Sequence, residues 1–202
     1  MKTVGVISFQ GDFEKHLERS RALGVHAVPV RDARTAGEVD ALIIPGGEST
    51  TIGMLLERFD MLDLIRRRIS EGLPVLATCA GAVLLADEII GSDQPRIGGL
   101  HVSIRRNAYG RQIESFEADV AVMDAEWPRW RDAGVLGVFI RAPIITSVSD
   151  EVRVILVFEG KPAMVRQGTI LAATFHPELT TDSRVHEYFF HTVAGFAGGY
   201  RE

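Results

Sequence analysis

The stretch PVLATCAGAVLL, residues 74–85, decides the fold of this chain and carries its only cysteine. Residues 74–78 form an apolar run that predicts a buried strand, and residues 82–86 predict the start of an apolar helix. Cys79 therefore falls on the corner between a strand and a helix, which is the arrangement of a nucleophile elbow. Unpaired N–H groups at the start of that helix favour the thiolate, and the N–H of Ala80 points to where an oxyanion would form.

A buried thiol without chemistry is the alternative interpretation of Cys79. Inert buried cysteines are commoner than reactive ones in soluble proteins, where a cysteine behaves as a small hydrophobic residue. The choice between the two depends on whether the rest of the chain offers a general base and a substrate site.

Composition limits the classes of protein to which the chain can belong. We expect one domain, residues 1–202, because 202 residues with 46% hydrophobic and 24% charged side chains suit one ordinary globular core. The formal net charge of −5 argues against a nucleic-acid partner. The sequence shows no long apolar run, no signal peptide and only one cysteine, so we expect no membrane partner and a cytoplasmic location.

The first half of the chain predicts an α/β fold. Residues 3–9, 25–30 and 41–44 are apolar and strand-like, and residues 13–23 have helical spacing, so the order is strand, helix, strand, strand. Strands that are apolar without alternation suit a parallel sheet covered on both faces.

The pattern changes after about residue 98. Short alternating stretches predict antiparallel strands at residues 101–104, 117–123, 135–140, 144–148, 152–159, 162–167 and 170–175. Residues 124–133 are predicted to form a surface loop, and residues 182–196 an amphipathic helix. The predicted fold is an α/β three-layer sandwich with a mainly parallel central sheet plus antiparallel additions.

A glycine pair follows the third predicted strand, in PGGESTT at residues 45–51. Glycines at the carboxyl end of a strand let backbone N–H groups approach a ligand closely. The loop lacks the lysine of a Walker sequence and the third glycine of a dinucleotide fingerprint, and a plain turn is an equal alternative. Because carboxyl ends of neighbouring parallel strands line one crevice, we expect Gly46 and Gly47 to face the same site as Cys79.

A candidate general base follows the last predicted strand, where His176, Pro177 and Glu178 stand in sequence. Residues two apart in extended backbone project to the same side, so His176 and Glu178 are expected to face one another. A carboxylate that holds one imidazole nitrogen leaves the other free to take the thiol proton. Structural or surface roles are expected for the other histidines, namely His16, His26, His101, His186 and His191. No cysteine–histidine cluster predicts zinc, so neither a metal nor a cofactor is expected.

Six blocks carry a resemblance to a known family. They are QGD (10–12), PGGESTT (45–51), TCAG (78–81), RRNAYGRQ (105–112), FIRAP (139–143) and FHPEL (175–179). With them the sequence resembles the class I (triad) glutamine amidotransferases, which have a flavodoxin-like fold, and more closely the glutaminase subunits of pyridoxal 5′-phosphate synthase.

The resemblance implies hydrolysis of L-glutamine to glutamate and ammonia. Cys79 would be the nucleophile, His176 the proton shuttle and Glu178 its orienting carboxylate. The implied glutamine contacts are Gly47, Glu48, Ser49, Arg106, Ile140 and Arg141. N–H groups of Gly47 and Ala80 would hold the oxyanion.

The resemblance also implies a partner, a (β/α)8-barrel synthase subunit that takes the ammonia, with Gln10 and the first helix as candidate contacts. Two alternatives stay open. One is a glutaminase subunit of another synthase, such as imidazole glycerol phosphate synthase. The other is a non-catalytic binding module of the same fold.

Overall fold

The computed structural model describes residues 2–107, 115–123 and 134–196. Its α-helices are α1 (Phe13–Ala22), α2 (Ala33–Glu38), α3 (Ser49–Arg58), α4 (Leu62–Ser70), α5 (Ala80–Leu85) and α6 (Arg184–Tyr188). Its strands are β1 (Thr3–Ile7), β2 (His26–Val30), β3 (Ala41–Ile44), β4 (Val75–Thr78), β5 (Ala86–Ile89), β6 (Leu100–Arg105), β7 (Ser115–Val122), β8 (Val135–Ile140), β9 (Ile144–Val148), β10 (Arg153–Phe158), β11 (Lys161–Gln167) and β12 (Ile170–Ala173).

Nine of the described strands form one sheet in the order β2-β1-β3-β4-β12-β11-β10-β7-β8. The five strands from β2 to β12 pair in parallel. The four that follow, β11, β10, β7 and β8, pair antiparallel. This confirms a sheet in which antiparallel strands extend a parallel core, but three of the strands expected as antiparallel additions to it were wrongly placed. Residues 170–175, expected to be antiparallel, contain β12, which pairs in parallel with β4. Residues 101–104 and 144–148 contribute to β6 and β9, which lie in a second sheet, because the side-chain pattern reports burial and not the neighbour of a strand.

Two apolar clusters cover the two faces of this sheet. Along β3, Leu42 and Ile44 pack into the cluster that holds α2 to α5, whereas Ala41 and Ile43 pack into the cluster that holds α1 and α6. All four side chains are inaccessible to solvent. A strand buried on both faces needs apolar residues at every position, which explains why its sequence does not alternate. The arrangement is the predicted three-layer sandwich.

The structure adds two elements that the sequence pattern did not predict. Helix α2 is short and buries only Ala36, so it has no apolar repeat, although Asp32 caps it by accepting a hydrogen bond from the Thr35 N–H at 2.8 Å. Strand β5 begins at Ala86, where the apolar helix ends, and joins β6 and β9 in a separate three-stranded sheet.

The carboxyl-terminal helix is shorter than expected. Regular α-helix covers only Arg184–Tyr188, and one wider π-type turn follows over Phe189–Val193. Its expected apolar face is nevertheless buried. The predicted loop at residues 124–133, and residues 108–112 of the RRNAYGRQ block, lie outside the described residues. Within the described ranges, no helix combines the length and apolar character needed to cross a membrane.

Candidate active site

The candidate site lies where strands of the large sheet end. Gln10 follows β1, Gly46 follows β3, Cys79 follows β4 and His176 follows β12, and these four strands are parallel neighbours. Parallel neighbours present their carboxyl ends at the same edge of a sheet, which explains why residues so distant in sequence meet here. Ile140, the last residue of β8, reaches the site from the antiparallel half.

Cys79 occupies a strained corner between β4 and α5. Its φ of 46° and ψ of −103° lie in a region that the backbone of residues other than glycine rarely adopts. The turn is held by the Cys79 N–H, which donates to the Ala173 carbonyl at 2.8 Å. Gly81 allows the sharp return, because a Cβ there would lie 2.1 Å from the Ile44 carbonyl oxygen. The strain supports the predicted nucleophile elbow.

His176 and Glu178 are in contact, as predicted, but by a different backbone geometry. The His176 Nδ1 lies 2.8 Å from Glu178 Oε1, and both side chains are buried. The backbone is not extended, since Pro177–Leu179 forms a 3-10 turn. The His176 N–H donates to the Val138 carbonyl at 2.8 Å and fixes the start of that turn. Sequence spacing thus identified the pair for the wrong geometric reason.

Electrostatics in the site favour a charged imidazole at His176. Burial alone would lower the pKa of His176, but hydrogen bonds and charges of Cys79 and Glu178 raise it to about 10. Burial alone would raise the pKa of Glu178, but His16 and then His176 hold it well below its usual range. Since Nδ1 of His176 is occupied by Glu178, Nε2 is the nitrogen left for Cys79.

His16, for which the sequence predicted a structural or surface role, has a buried acidic partner. It lies on α1, is completely buried, and its Nε2 lies 3.3 Å from Glu178 Oε2 and 3.2 Å from Thr78 Oγ1. Its Nδ1 lies 2.9 Å from His186 Nε2 on α6. The sequence could not show this, because the three partners come from three elements other than α1, and only tertiary packing brings them together.

The glycine loop after β3 lies directly against the imidazole of His176. A Cβ on Gly46 would come 2.3 Å from His176 Cε1, so only glycine fits there. The Gly46 N–H donates to Thr78 Oγ1 at 3.1 Å, and the Glu48 N–H donates to Gln10 Oε1 at 2.9 Å. The end of β4 and the loop after β1 therefore hold the glycine loop in position.

A cavity of about 200 Å³ opens beside Cys79. It is lined by Asp12, Gly47, Glu48, Ser49, Cys79, Ala80, Val83, Arg106, Asn107, Ile140, Arg141, Pro143 and His176. All six residues named as glutamine contacts line it, as do both residues named for the oxyanion. Glu178 lies behind His176 and does not line it.

Polar groups on one side of the cavity fix Arg106. Its guanidinium donates to Thr50 Oγ1 at 2.8 Å, to Glu48 Oε1 at 3.2 Å and to Gln94 Oε1. Gln94 also accepts from Ser49 Oγ at 3.2 Å. Sequence reasoning missed Gln94, since a glutamine in a loop carries no signal of its own. Burial raises the pKa of Glu48, but hydrogen bonds from Thr51 and Thr50 lower it overall, so the group stays a carboxylate.

One cluster in the described ranges has the composition of a metal site. Donor atoms of Asp12, His176 and Glu178 lie within 4.8 Å of one another. His176 and Glu178 already bond each other, and the second nitrogen of His176 serves Cys79. These contacts suit acid–base chemistry, and we assign no metal to the cluster.

Comparison with known proteins adds independent information. The model of the SNO glutamine amidotransferase family matches residues 6–195. "Pyridoxal 5'-phosphate synthase subunit PdxT" of Moorella thermoacetica is 47% identical over 190 residues, covering 94% of this chain and 98% of that protein. The protein of the same name from Desulforudis audaxviator is 48% identical over 193 residues, covering 96% and 100%.

Solved structures agree with these matches. The crystal structure of a glutamine amidotransferase superposes with a TM-score of 0.87 at 46% identity, covering 95% of this chain and 98% of that one. A glutamine amidotransferase from Thermotoga maritima superposes with a TM-score of 0.63 at 13% identity, covering 95% and 82%. At that identity the second likeness supports the fold alone.

Proposed function

Because the chain belongs to the SNO glutamine amidotransferase family, we propose that it hydrolyses L-glutamine with Cys79, His176 and Glu178 as its triad. The ammonia goes to a pyridoxal 5′-phosphate synthase for vitamin B6 biosynthesis. One observation carries the proposal. The strained elbow of Cys79 and the bonded pair His176–Glu178 meet at a cavity that all the expected glutamine contacts line.

The reaction begins at the thiolate of Cys79. Its Sγ attacks the side-chain amide carbon of glutamine, and the carbonyl oxygen takes the electron pair of the C=O π bond. N–H groups of Gly47 and Ala80 stabilise that oxyanion. As the C–N bond breaks, the imidazolium of His176 gives its Nε2 proton to the leaving nitrogen, and ammonia departs. A γ-glutamyl thioester on Cys79 remains.

Water completes the cycle. Neutral His176 now takes a proton from a water molecule, whose oxygen attacks the thioester carbon. The C–S bond breaks, glutamate leaves, and the thiolate and imidazolium are restored. Glu178 stays ionised throughout and holds the imidazole by Nδ1, which keeps Nε2 directed at the reacting atoms.

The cavity supplies charges of both signs for a zwitterionic substrate. Arg106 and Arg141 are the cations available for the α-carboxylate. The carboxylate of Glu48 and the carbonyl of Ile140 are acceptors for the α-ammonium group. Ser49 and the backbone of Gly47 complete the glutamine contacts on the side of the glycine loop.

The same proposal includes a partner and a location. The similar proteins are named as subunits of a synthase, which supports docking of this chain on a partner subunit. We further propose that the chain is a single domain spanning residues 1–202, that its partner is a (β/α)8 barrel, and that the complex is cytoplasmic. Gln10 and α1 are the contacts that we propose. Gln10 already bonds the Glu48 N–H of the glycine loop, so a partner that touches Gln10 would act directly on the site.

The test is glutamate release from L-glutamine by the purified chain, measured with and without a synthase barrel subunit. We expect release to require both the partner and the thiol, so Cys79→Ala with partner should show none. Release by Cys79→Ala at the wild-type rate would refute the triad. Full activity of the wild-type chain alone would refute activation by the partner. No glutamate release under any condition would refute the proposed glutaminase activity.

A further inference from the structure

A buried carboxylate oxygen points to residues behind the triad. Oε2 of Glu178 makes no hydrogen bond of regular geometry within the described part of the chain, and it is inaccessible to solvent. Nε2 of His16 faces it at 3.3 Å. A desolvated carboxylate oxygen without a donor or a positive charge beside it is costly. His16 is therefore the group that makes an ionised Glu178 tolerable in this position.

The second nitrogen of His16 shows how its proton is placed. Nδ1 lies 2.9 Å from Nε2 of His186, whose own Nδ1 has no hydrogen-bond partner among the described residues. A buried N–H without an acceptor is rarer than an unpaired acceptor, so we assign the His186 proton to Nε2, which donates to His16. His16 then carries its proton on Nε2, the nitrogen that lies 3.2 Å from Thr78 Oγ1 and 3.3 Å from Glu178 Oε2. Burial keeps His186 neutral, because it lowers its pKa to about 3.

The same proton-bearing nitrogen also connects to the glycine loop. Nε2 of His16 lies 3.2 Å from Thr78 Oγ1, and that oxygen accepts the Gly46 N–H at 3.1 Å. Gly46 precedes Gly47, the residue proposed for the oxyanion. One buried imidazole therefore contacts both the carboxylate behind His176 and the residue that anchors the glycine loop.

We propose that His16, held by His186, is a positioning residue of the glutaminase, which keeps Glu178 ionised and aligned so that His176 can stabilise the thiolate of Cys79. The inference rests on the proposed function. His16 does not line the cavity and touches no substrate. Its loss should lower kcat by about tenfold or more while changing KM far less, since supporting residues of this kind typically cost about 10- to 100-fold.

Several other titratable or charged groups surround Glu178 and contribute to the pH dependence of the site. Around Glu178 they are His176 and Cys79 on the cavity side, Asp12 before α1, Lys15, His16, Glu18 and Arg19 on α1, and His186 on α6. The Arg19 guanidinium donates to the Thr180 carbonyl. His16 contacts both Glu178 Oε2, at 3.3 Å, and Thr78 Oγ1, at 3.2 Å.

Alkylation of Cys79 by iodoacetamide tests the inference without partner or glutamine. Because Cys79 is the only cysteine, the reaction rate against pH reports its thiolate alone. His16→Leu should shift the midpoint upward by about one pH unit, since a weakened Glu178 supports the imidazolium less. His16→Gln keeps an N–H donor towards Glu178 and should restore most of the wild-type midpoint. His186→Leu should give a smaller upward shift.

His26→Gln is the matched control, because His26 is exposed on β2 and its Nδ1 contacts Thr3 Oγ1 at 3.2 Å, remote from the triad. It should leave the profile unchanged. A folded His16→Leu with the wild-type midpoint, even at a lower melting temperature, would overturn the proposal. If His16→Leu does not fold, His186→Leu decides by the same criterion. Failure of both to fold, judged by circular dichroism, would overturn the proposal in favour of a structural role.

Kinetics with the synthase partner separate this inference from the proposed function. If the wild-type chain releases no glutamate with its partner, the proposed function fails, whatever the alkylation profiles show. If the wild-type chain is active and His16→Leu keeps its kcat, the role of His16 fails alone. A tenfold loss of kcat with KM within about threefold of wild type, restored by His16→Gln, supports both.

Discussion

Replacing Gly46 by alanine should disable the enzyme while leaving it folded. The added Cβ would lie 2.3 Å from His176 Cε1, 2.9 Å from Nδ1 and 3.2 Å from Nε2. His176 is buried and tied to Glu178, so its ring cannot move into solvent. The φ of Gly46 is not in the left-handed region, so alanine brings no backbone strain and the effect is steric.

The size of the effect follows from these distances. Ordinary Cβ contacts begin at 3.4 Å, so the ring must retreat by 3.4 − 2.3 = 1.1 Å. A shift of that size breaks the 2.8 Å bond to Glu178 or moves Nε2 away from Cys79. Misplacing a catalytic group by 1 Å costs about 10²-fold in rate, and overpacking a buried site costs about 1–3 kcal/mol of stability. We expect kcat to fall by about 10²-fold and the free energy of unfolding by about 1–3 kcal/mol.

The assay compares glutamate release with the synthase partner for wild type, Gly46→Ala and Gly37→Ala, with stability measured by urea denaturation. Gly37 lies in α2, and a Cβ there meets nothing within 4 Å. Its replacement should raise stability by up to about 1 kcal/mol through helix propensity and leave kcat unchanged. A Gly46→Ala enzyme within about twofold of wild-type kcat would refute the packing of Gly46 against a His176 imidazole that takes part in the reaction.

Two further predictions concern the substrate side and acid stability. Arg106→Lys should raise the KM for glutamine by about tenfold, with a smaller change in kcat. The reason is that one ammonium group cannot keep the contacts to Thr50, Gln94 and Glu48 while it binds a carboxylate. An unchanged KM in steady-state kinetics would exclude Arg106 from the substrate site. The unfolded chain protonates His186 near its ordinary pKa of 6.5, whereas the folded chain holds that pKa at about 3, so the stability that this neutral histidine contributes is present in full above 6.5 and is lost as the pH drops through this window. Glu178 changes stability in the same direction, but only near and below its ordinary pKa of 4.5. In urea denaturation between about pH 6.5 and 5, the free energy of unfolding of the wild type should therefore fall by up to about 1.4 kcal/mol per pH unit more than that of His186→Leu. Equal slopes of this free energy against pH would contradict the buried neutral histidine.

Local sequence patterns predicted the elements whose burial is strong. The unbroken apolar run of β3 and the alternating run of β8 were both correctly located, because burial on both faces or on one face determines the residue pattern. Helix α2 escaped prediction because it buries only Ala36. The three-stranded sheet was not predicted because its strand β5 buries only its two end residues and therefore shows no alternation of polar and apolar positions.

By itself the sequence determined the parallel core, the elbow at Cys79 and the pairing of His176 with Glu178, because each depends on residues close in the chain or on the rule that parallel strands end at one edge. Only the tertiary structure decided which histidine stands behind Glu178. His16 and His186 lie on helices at opposite ends of the chain, and their 2.9 Å contact exists because α1 and α6 pack on the same face of the sheet. Such a contact is fixed by packing in three dimensions and leaves no periodic signal in the sequence.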